Sequence, residues 1–154
     1  MTTLKDIIDE SKVDLNSFNK LLKKISRYSA LLGTKFVRIE RGYAELTFDF
    51  KEELTRSGGI LHGGAIMGIL DEVSGIAAAT VNPGDSQVTM ELKINFMRPL
   101  SQKNKPFKAK GKVLRIGKTT IVVYGEIYDR EGNVCAASLG TWYILYDRVK
   151  AGLE

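Results

Sequence analysis

The sequence predicts an α+β domain in which an antiparallel sheet packs on one long buried helix. Three observations carry that reading. Residues 57–81, SGGILHGGAIMGILDEVSGIAAATV, run a glycine-rich turn into a helix whose faces are nearly all apolar or small. After Gln87 the chain reads as strands separated by turn chemistry, and ahead of the helix lies an alternating hairpin.

Taken in order, Leu4, Ile7 and Ile8 and then Leu15, Phe18, Leu21, Leu22 and Ile25 recur at helical three and four spacing, with Asp14 or Asn16 as a cap for the second run. The pattern predicts one broken helix or two, ending near Gly33 and packing on a sheet edge, with no chemistry visible in it. Residues 34–50 turn at Arg41-Gly42, and Ala44, Leu46, Phe48 and Phe50 alternate with Glu45, Thr47 and Asp49, the period of a strand with one wet face. A polar connector, 51–56, leads into the central turn and helix, which Asn82-Pro83-Gly84 terminates.

Strands are predicted at 88–97, 107–116, 119–128 and 134–146, with turns at Pro99, Gly117-Lys118 and 129–133. Connections this short cannot make parallel crossovers, so the expected layout is four consecutive antiparallel strands in a meander. The tail, 149–154, reads as free of structure. The expected division is an N-terminal helical extension over 1–32 and a single domain over 33–148.

At 154 residues, 44% apolar and 27% charged, the chain fills one core and is short for two. Its first residues contain acids and no apolar stretch long enough for a secretory signal, and no later run approaches a membrane span, so a cytoplasmic protein is expected. Cys135 has no partner for a disulfide, and its alternating neighbours suggest a buried strand position. One histidine and one cysteine leave no zinc-ligand set.

The net charge is +5, but residues 98–118 hold eight basic side chains and no acid, leaving the remainder negative. Such a field attracts phosphate-bearing ligands or nucleic acid. It equally describes a lysine-protected edge strand. Nucleic-acid binding lacks a matching motif and the interleaved aromatics of a stacking platform.

The chemistry concentrates in the central stretch. His62-Gly63-Gly64 opens the helix, where free N–H groups and the positive end of the dipole can polarise a carbonyl, although His62 reads first as a capping residue and the glycines also suit close helix packing. Asp71 and Glu72 cannot both be buried without partners, and about 100° separates them on a helix, so one faces inward and one reaches solvent. Ion pairing at a helix or subunit interface would also account for them. Counting back three, four and seven from Asp71 gives Gly68, Met67 and Gly64, a face with room for a substrate. From Glu72 the same steps give Ile69, Gly68 and Ala65, which has less room. Nine residues from His62 to Asp71 span about 13 Å of helix, so a shared small carbonyl requires two chains.

The glycine turn with HGG, the small-residue helix with an acid nine positions after the histidine, and VTMELKINFMRP together resemble the hotdog-fold thioesterases of the PaaI type, over roughly residues 33–146. The resemblance implies a curved antiparallel sheet wrapped around the long helix, sheets paired edge to edge in a homodimer or homotetramer, and hydrolysis of acyl-CoA at the subunit interface. By position it makes Asp71 the base or nucleophile, puts Gly64 in the carbonyl-polarising turn, and makes Thr89 the residue that orients water or substrate. His62, Gly63, Arg56, Arg98 and Lys118 then contact substrate. Arg56 departs from the pattern, standing where Asn or Gln is usual, six residues before the histidine. No cofactor is expected, because CoA enters as part of the substrate and its phosphates give the basic stretch a ligand. Neither nucleic acid nor membrane is expected as a partner. The alternative reading is a non-catalytic acyl-CoA binding or sensing protein, which would not need Asp71. A hydratase on this fold would pair its histidine and acid differently.

Overall fold

The computed structural model describes residues 13–146. The readings at Leu4, Ile7 and Ile8 and over 149–154 lie outside them. The first described helix, α1 (Leu15–Ile25), begins at Asp14, whose carboxylate accepts from the Asn16 N–H at 3.0 Å and the Ser17 hydroxyl at 2.6 Å. Ser26 ends α1 and caps α2 (Arg27–Leu32), which Gly33 closes in the left-handed conformation with φ 72°. The break between the two helices is therefore a serine serving both.

The strands β1 (Lys35–Glu40) and β2 (Tyr43–Phe48) form the expected hairpin, with Gly42 at φ 73° in the turn. The side chain of Asn19, on α1, accepts from the Phe36 N–H and donates to the Phe36 carbonyl, both at 2.8 Å. This amide imitates a neighbouring strand and satisfies backbone at the outer edge of β1, which α1 covers at this point. The connector is more ordered than its polarity suggests. It holds a single 3₁₀ turn (Glu52–Leu54) and a short ladder of β3 (Thr55–Arg56) with β4 (Ile60–Leu61), closed by Gly58 and Gly59 at positive φ. The central helix α3 runs Gly63–Ala79. It stops short of Val81 because the Thr80 hydroxyl donates to the Ala77 carbonyl and accepts from the Gly42 N–H, both at 2.7 Å.

The remaining strands are β5 (Ser86–Phe96), β6 (Phe107–Ile116), β7 (Thr120–Tyr128) and β8 (Val134–Leu145), and the sheet order is β1-β2-β6-β7-β8-β5. Two expectations are corrected here. The last four strands are not a simple meander: β6, β7 and β8 are, but β5 crosses to pair with β8 at the far edge. Nor is the basic stretch an edge strand, since β6 lies between β2 and β7. Its lysines project from the outer face, where Lys108 pairs with Glu45 on β2 at 3.0 Å, Lys105 reaches Asp49 at 3.4 Å, and Lys110 lies over the Tyr128 ring.

The sheet receives α3 on a row of small residues. Ala44, Gly111, Gly125 and Ser138 are successive cross-strand partners on β2, β6, β7 and β8. A Cβ on Gly111 would approach the Val73 carbonyl oxygen at 2.8 Å, and one on Gly125 would meet the hydroxyls of Ser138 at 2.6 Å and Ser74 at 2.8 Å. Helix backbone thus lies almost on sheet backbone. Ile69, Leu70, Val73, Ala77 and Ala78 fill the surrounding core with Ile121, Ile127 and Trp142, each large aliphatic side chain contributing about 1.5–3 kcal/mol of burial. Cys135 is buried with its thiol pushed up by desolvation, which suits packing rather than nucleophilic chemistry.

Candidate active site

The turn before α3 is pinned from two sides. The His62 N–H donates to the Leu54 carbonyl and the Leu61 N–H to the Leu100 carbonyl, both at 2.8 Å. His62 is the N-cap, and its Nδ1 accepts from the Gly64 N–H at 2.9 Å, which assigns the imidazole proton to Nε2. The histidine holds the loop, as its capping reading expects. The Gly64 N–H is consequently occupied inside the turn.

Beside that turn opens a cleft of about 330 Å³ lined by Arg56, Ile60, Leu61, Gly63, Ile66 and residues 96–100. Three of the expected substrate contacts, Arg56, Gly63 and Arg98, therefore come together. Each guanidinium is steadied by a carbonyl: Arg56 donates to Ser57 at 3.0 Å and Arg98 to Val134 at 2.9 Å. Phe96 lies against Gly63, its ring 3.5 Å from where a Cβ would sit, an ordinary van der Waals contact. The cleft pairs a cationic mouth with an apolar wall. Lys118 lies in the β6–β7 turn, where its carbonyl accepts from the Tyr146 hydroxyl at 2.7 Å, and it does not line the cleft.

A second group lies further along the helix. The Thr89 hydroxyl, on β5, donates to Asp71 Oδ1 at 2.8 Å. Strand β5 is an outer strand, and its register against β8 slips between Thr89 and Glu91, leaving Met90 61% exposed. Asp71 is thus a half-buried carboxylate at an open edge. Glu72 points the other way, under α2, with both carboxylate oxygens buried. The Ser29 and Thr34 hydroxyls flank it without closing a hydrogen bond of normal geometry, and burial pushes its carboxyl above the ordinary range against their pull, with a smaller push from Asp71. The two acids diverge as adjacent helical positions must. Asp71 is the one that reaches the edge strand β5.

The apolar wall from Phe96 to Leu100 escaped the sequence reading, although NFMRP marked the segment. Its signal is the run of bulky residues at a strand end, which gains meaning only once Leu61 and Leu100 are seen to share a hydrogen bond.

One antiparallel sheet curled on a long helix, with a glycine turn at one end of that helix and a half-buried acid two turns on, defines the hotdog class. Residues 58–136 match the thioesterase superfamily, and the chain belongs to it. A protein of Saccharolobus solfataricus named as a putative esterase is 44% identical over 137 residues, covering 89% of this chain and 96% of that one. The fold is similar to that of the Escherichia coli PaaI protein from the phenylacetic acid degradation operon, with a TM-score of 0.75 at 21% identity over 84% of this chain and 92% of the other. It is also similar to smu.793 of Streptococcus mutans, solved bound to acetyl CoA, with a TM-score of 0.69 at 22% identity over 74% and 90% of the two chains. In the described residues no helix is long and apolar enough to cross a membrane.

Proposed function

We propose that the protein hydrolyses an acyl-CoA thioester to the free acid and CoA, at sites shared between two copies of the chain. The observation that carries this reading is the Thr89–Asp71 pair. A carboxylate held by one hydrogen bond at an accessible strand edge has an oxygen left to take a proton from water. Membership of the thioesterase superfamily supplies the reaction class, and the acetyl CoA bound by a protein of like fold supports the choice of thiol carrier.

About 13 Å of helix separates the turn from Asp71, so the two halves of the site come from different subunits. A twofold axis that pairs β5 strands edge to edge brings the turn of one subunit to Asp71 of the other. The thioester carbonyl meets the helix N-terminus. Because the Gly64 N–H is held by His62, the Gly63 N–H of the same turn is the donor that polarises it. Water attacks the carbonyl carbon while Asp71 takes its proton; as the tetrahedral intermediate collapses and the C–S bond breaks, Asp71 returns that proton to the CoA sulfur, which leaves as the thiol. Arg56 and Arg98, on the cleft, bind the phosphates or pantetheine arm of the departing CoA.

Thiol release measured across a panel of acyl-CoA substrates tests the reading. Turnover on at least one acyl-CoA is expected. Saturable acyl-CoA binding with no thiol release on any substrate would instead make the protein a binder.

A further inference from the structure

We infer that Tyr28, from the helical extension, is an acyl-chain specificity residue that bounds the acyl side of this site; the inference rests on the proposed thioesterase reading. Tyr28 lies in α2 and is 52% exposed, yet its ring tip is seated on the central helix. A Cβ built on Gly68 would fall 2.8 Å from ring carbons of Tyr28 and closer still to its hydroxyl, so only glycine admits the phenol there. Gly68 is one turn before both acids, three residues from Asp71 and four from Glu72, so the Tyr28 ring tip sits beside the turn that the Asp71 carboxylate leans over.

The other wall of that turn is Met67, which is 42% exposed. In a twofold pair that sets the HGG turn against Asp71, the centre of the seam falls at Met67 and Gly68. An acyl chain whose carbonyl sits at Asp71 and whose sulfur leaves toward the partner's arginine cleft therefore extends past Tyr28. About 4.5 Å of axial rise separates Asp71 from Gly68, room for an acyl chain on the order of four carbons before it meets the ring. The phenol is thus the end stop, with its face available to an aromatic acyl group.

The test is kcat/KM over a straight-chain acyl-CoA series from two to twelve carbons, with phenylacetyl-CoA added, for wild type and for Tyr28→Ala, Tyr28→Phe and Tyr28→Trp. Tyr28→Ala is expected to move the optimum to longer chains, raising the ratio of long-chain to short-chain kcat/KM at least tenfold. Tyr28→Trp should shift it to shorter chains, and Tyr28→Phe should keep the wild-type profile, because the ring rather than the hydroxyl sets the boundary. If one variant fails to fold, the other still decides. Chain-length profiles that superimpose on wild type, or activity lowered equally at every length, overturn the role of Tyr28 and leave the thioesterase reading standing. A wild type that releases thiol from none of the series overturns both.

Discussion

Thr89 donates its hydroxyl to Asp71 Oδ1 at 2.8 Å, joining the outermost strand of the sheet to the middle of the buried helix. The bond orients the carboxylate and leaves its second oxygen free to act. Asp71→Asn, nearly isosteric but a poor proton acceptor, is expected to lower kcat by at least about a hundredfold. Thr89→Ala should lower kcat by about tenfold with a smaller change in KM, since it loosens the acid without removing it. Steady-state kinetics on the best acyl-CoA substrate check both; near-normal turnover of Asp71→Asn removes the assignment.

A site divided between subunits makes a prediction that no single-chain site shares. Two inactive variants with lesions in opposite halves, Asp71→Asn and a turn variant such as Gly63→Pro, should regain activity when mixed and exchanged. Random exchange at equal amounts gives about one quarter of wild-type activity, because half the dimers are mixed and each carries one intact site. Activity that stays at background after exchange, shown by mass spectrometry of the mixed species, places both halves in one chain.

Glu72 predicts an unusual dependence of stability on pH. Its folded pKa is raised by burial, so the folded state binds more protons than the unfolded one above the ordinary glutamate range. The stabilising contribution is complete below the unfolded pKa and is lost as pH rises through the folded value. Glu72→Gln removes that loss and can donate to the unpartnered Thr34 hydroxyl, so it is expected to stabilise the protein at neutral pH by about 1 kcal/mol. It should also leave kcat within a few fold of wild type. Chemical denaturation at acid and neutral pH measures the first; a variant less stable than wild type at neutral pH contradicts it.

The arginines and the lysines of the basic stretch should behave differently. Arg98→Glu, on the cleft, is expected to raise KM for acyl-CoA about tenfold at low ionic strength, with the difference shrinking as salt is added. Lys108→Glu breaks only the pair with Glu45 on the outer face and should leave KM unchanged. Equal effects of the two would mean that a diffuse field, not the cleft, attracts the ligand.

The elements were legible because each carries a local signal: apolar alternation for the strands, small-residue density for α3, Asp14 and Gly33 for the helix ends. The order of the strands was not, because pairing β5 with β8 is decided by contacts far apart in sequence that no turn encodes. Lysines spaced two apart on β6 look like edge protection until Glu45 of the neighbouring strand β2 is seen paired with Lys108. Within the site, HGG, Asp71 and Thr89 could be aligned by spacing, whereas the occupation of the Gly64 N–H depends on which way the His62 ring turns. Tyr28 had no signal, since its contact with Gly68 spans two helices.

Gly111 brings α3 within backbone distance of the sheet and Gly125 leaves room for the Ser74 and Ser138 hydroxyls, and a single methyl group at either should cost about 1–3 kcal/mol in thermal or chemical unfolding. The deeper effect is metrological. At Gly111 no side chain is interposed, so the height of the helix above the sheet is set there by atomic radii, and Asp71 is levelled against Thr89 by that gap in the way a shim levels a bearing. A methyl group under Val73 lifts the acid away from the hydroxyl while every residue of the site keeps its identity, so a variant such as Gly111→Ala can lose orientation at Asp71 before it loses its fold.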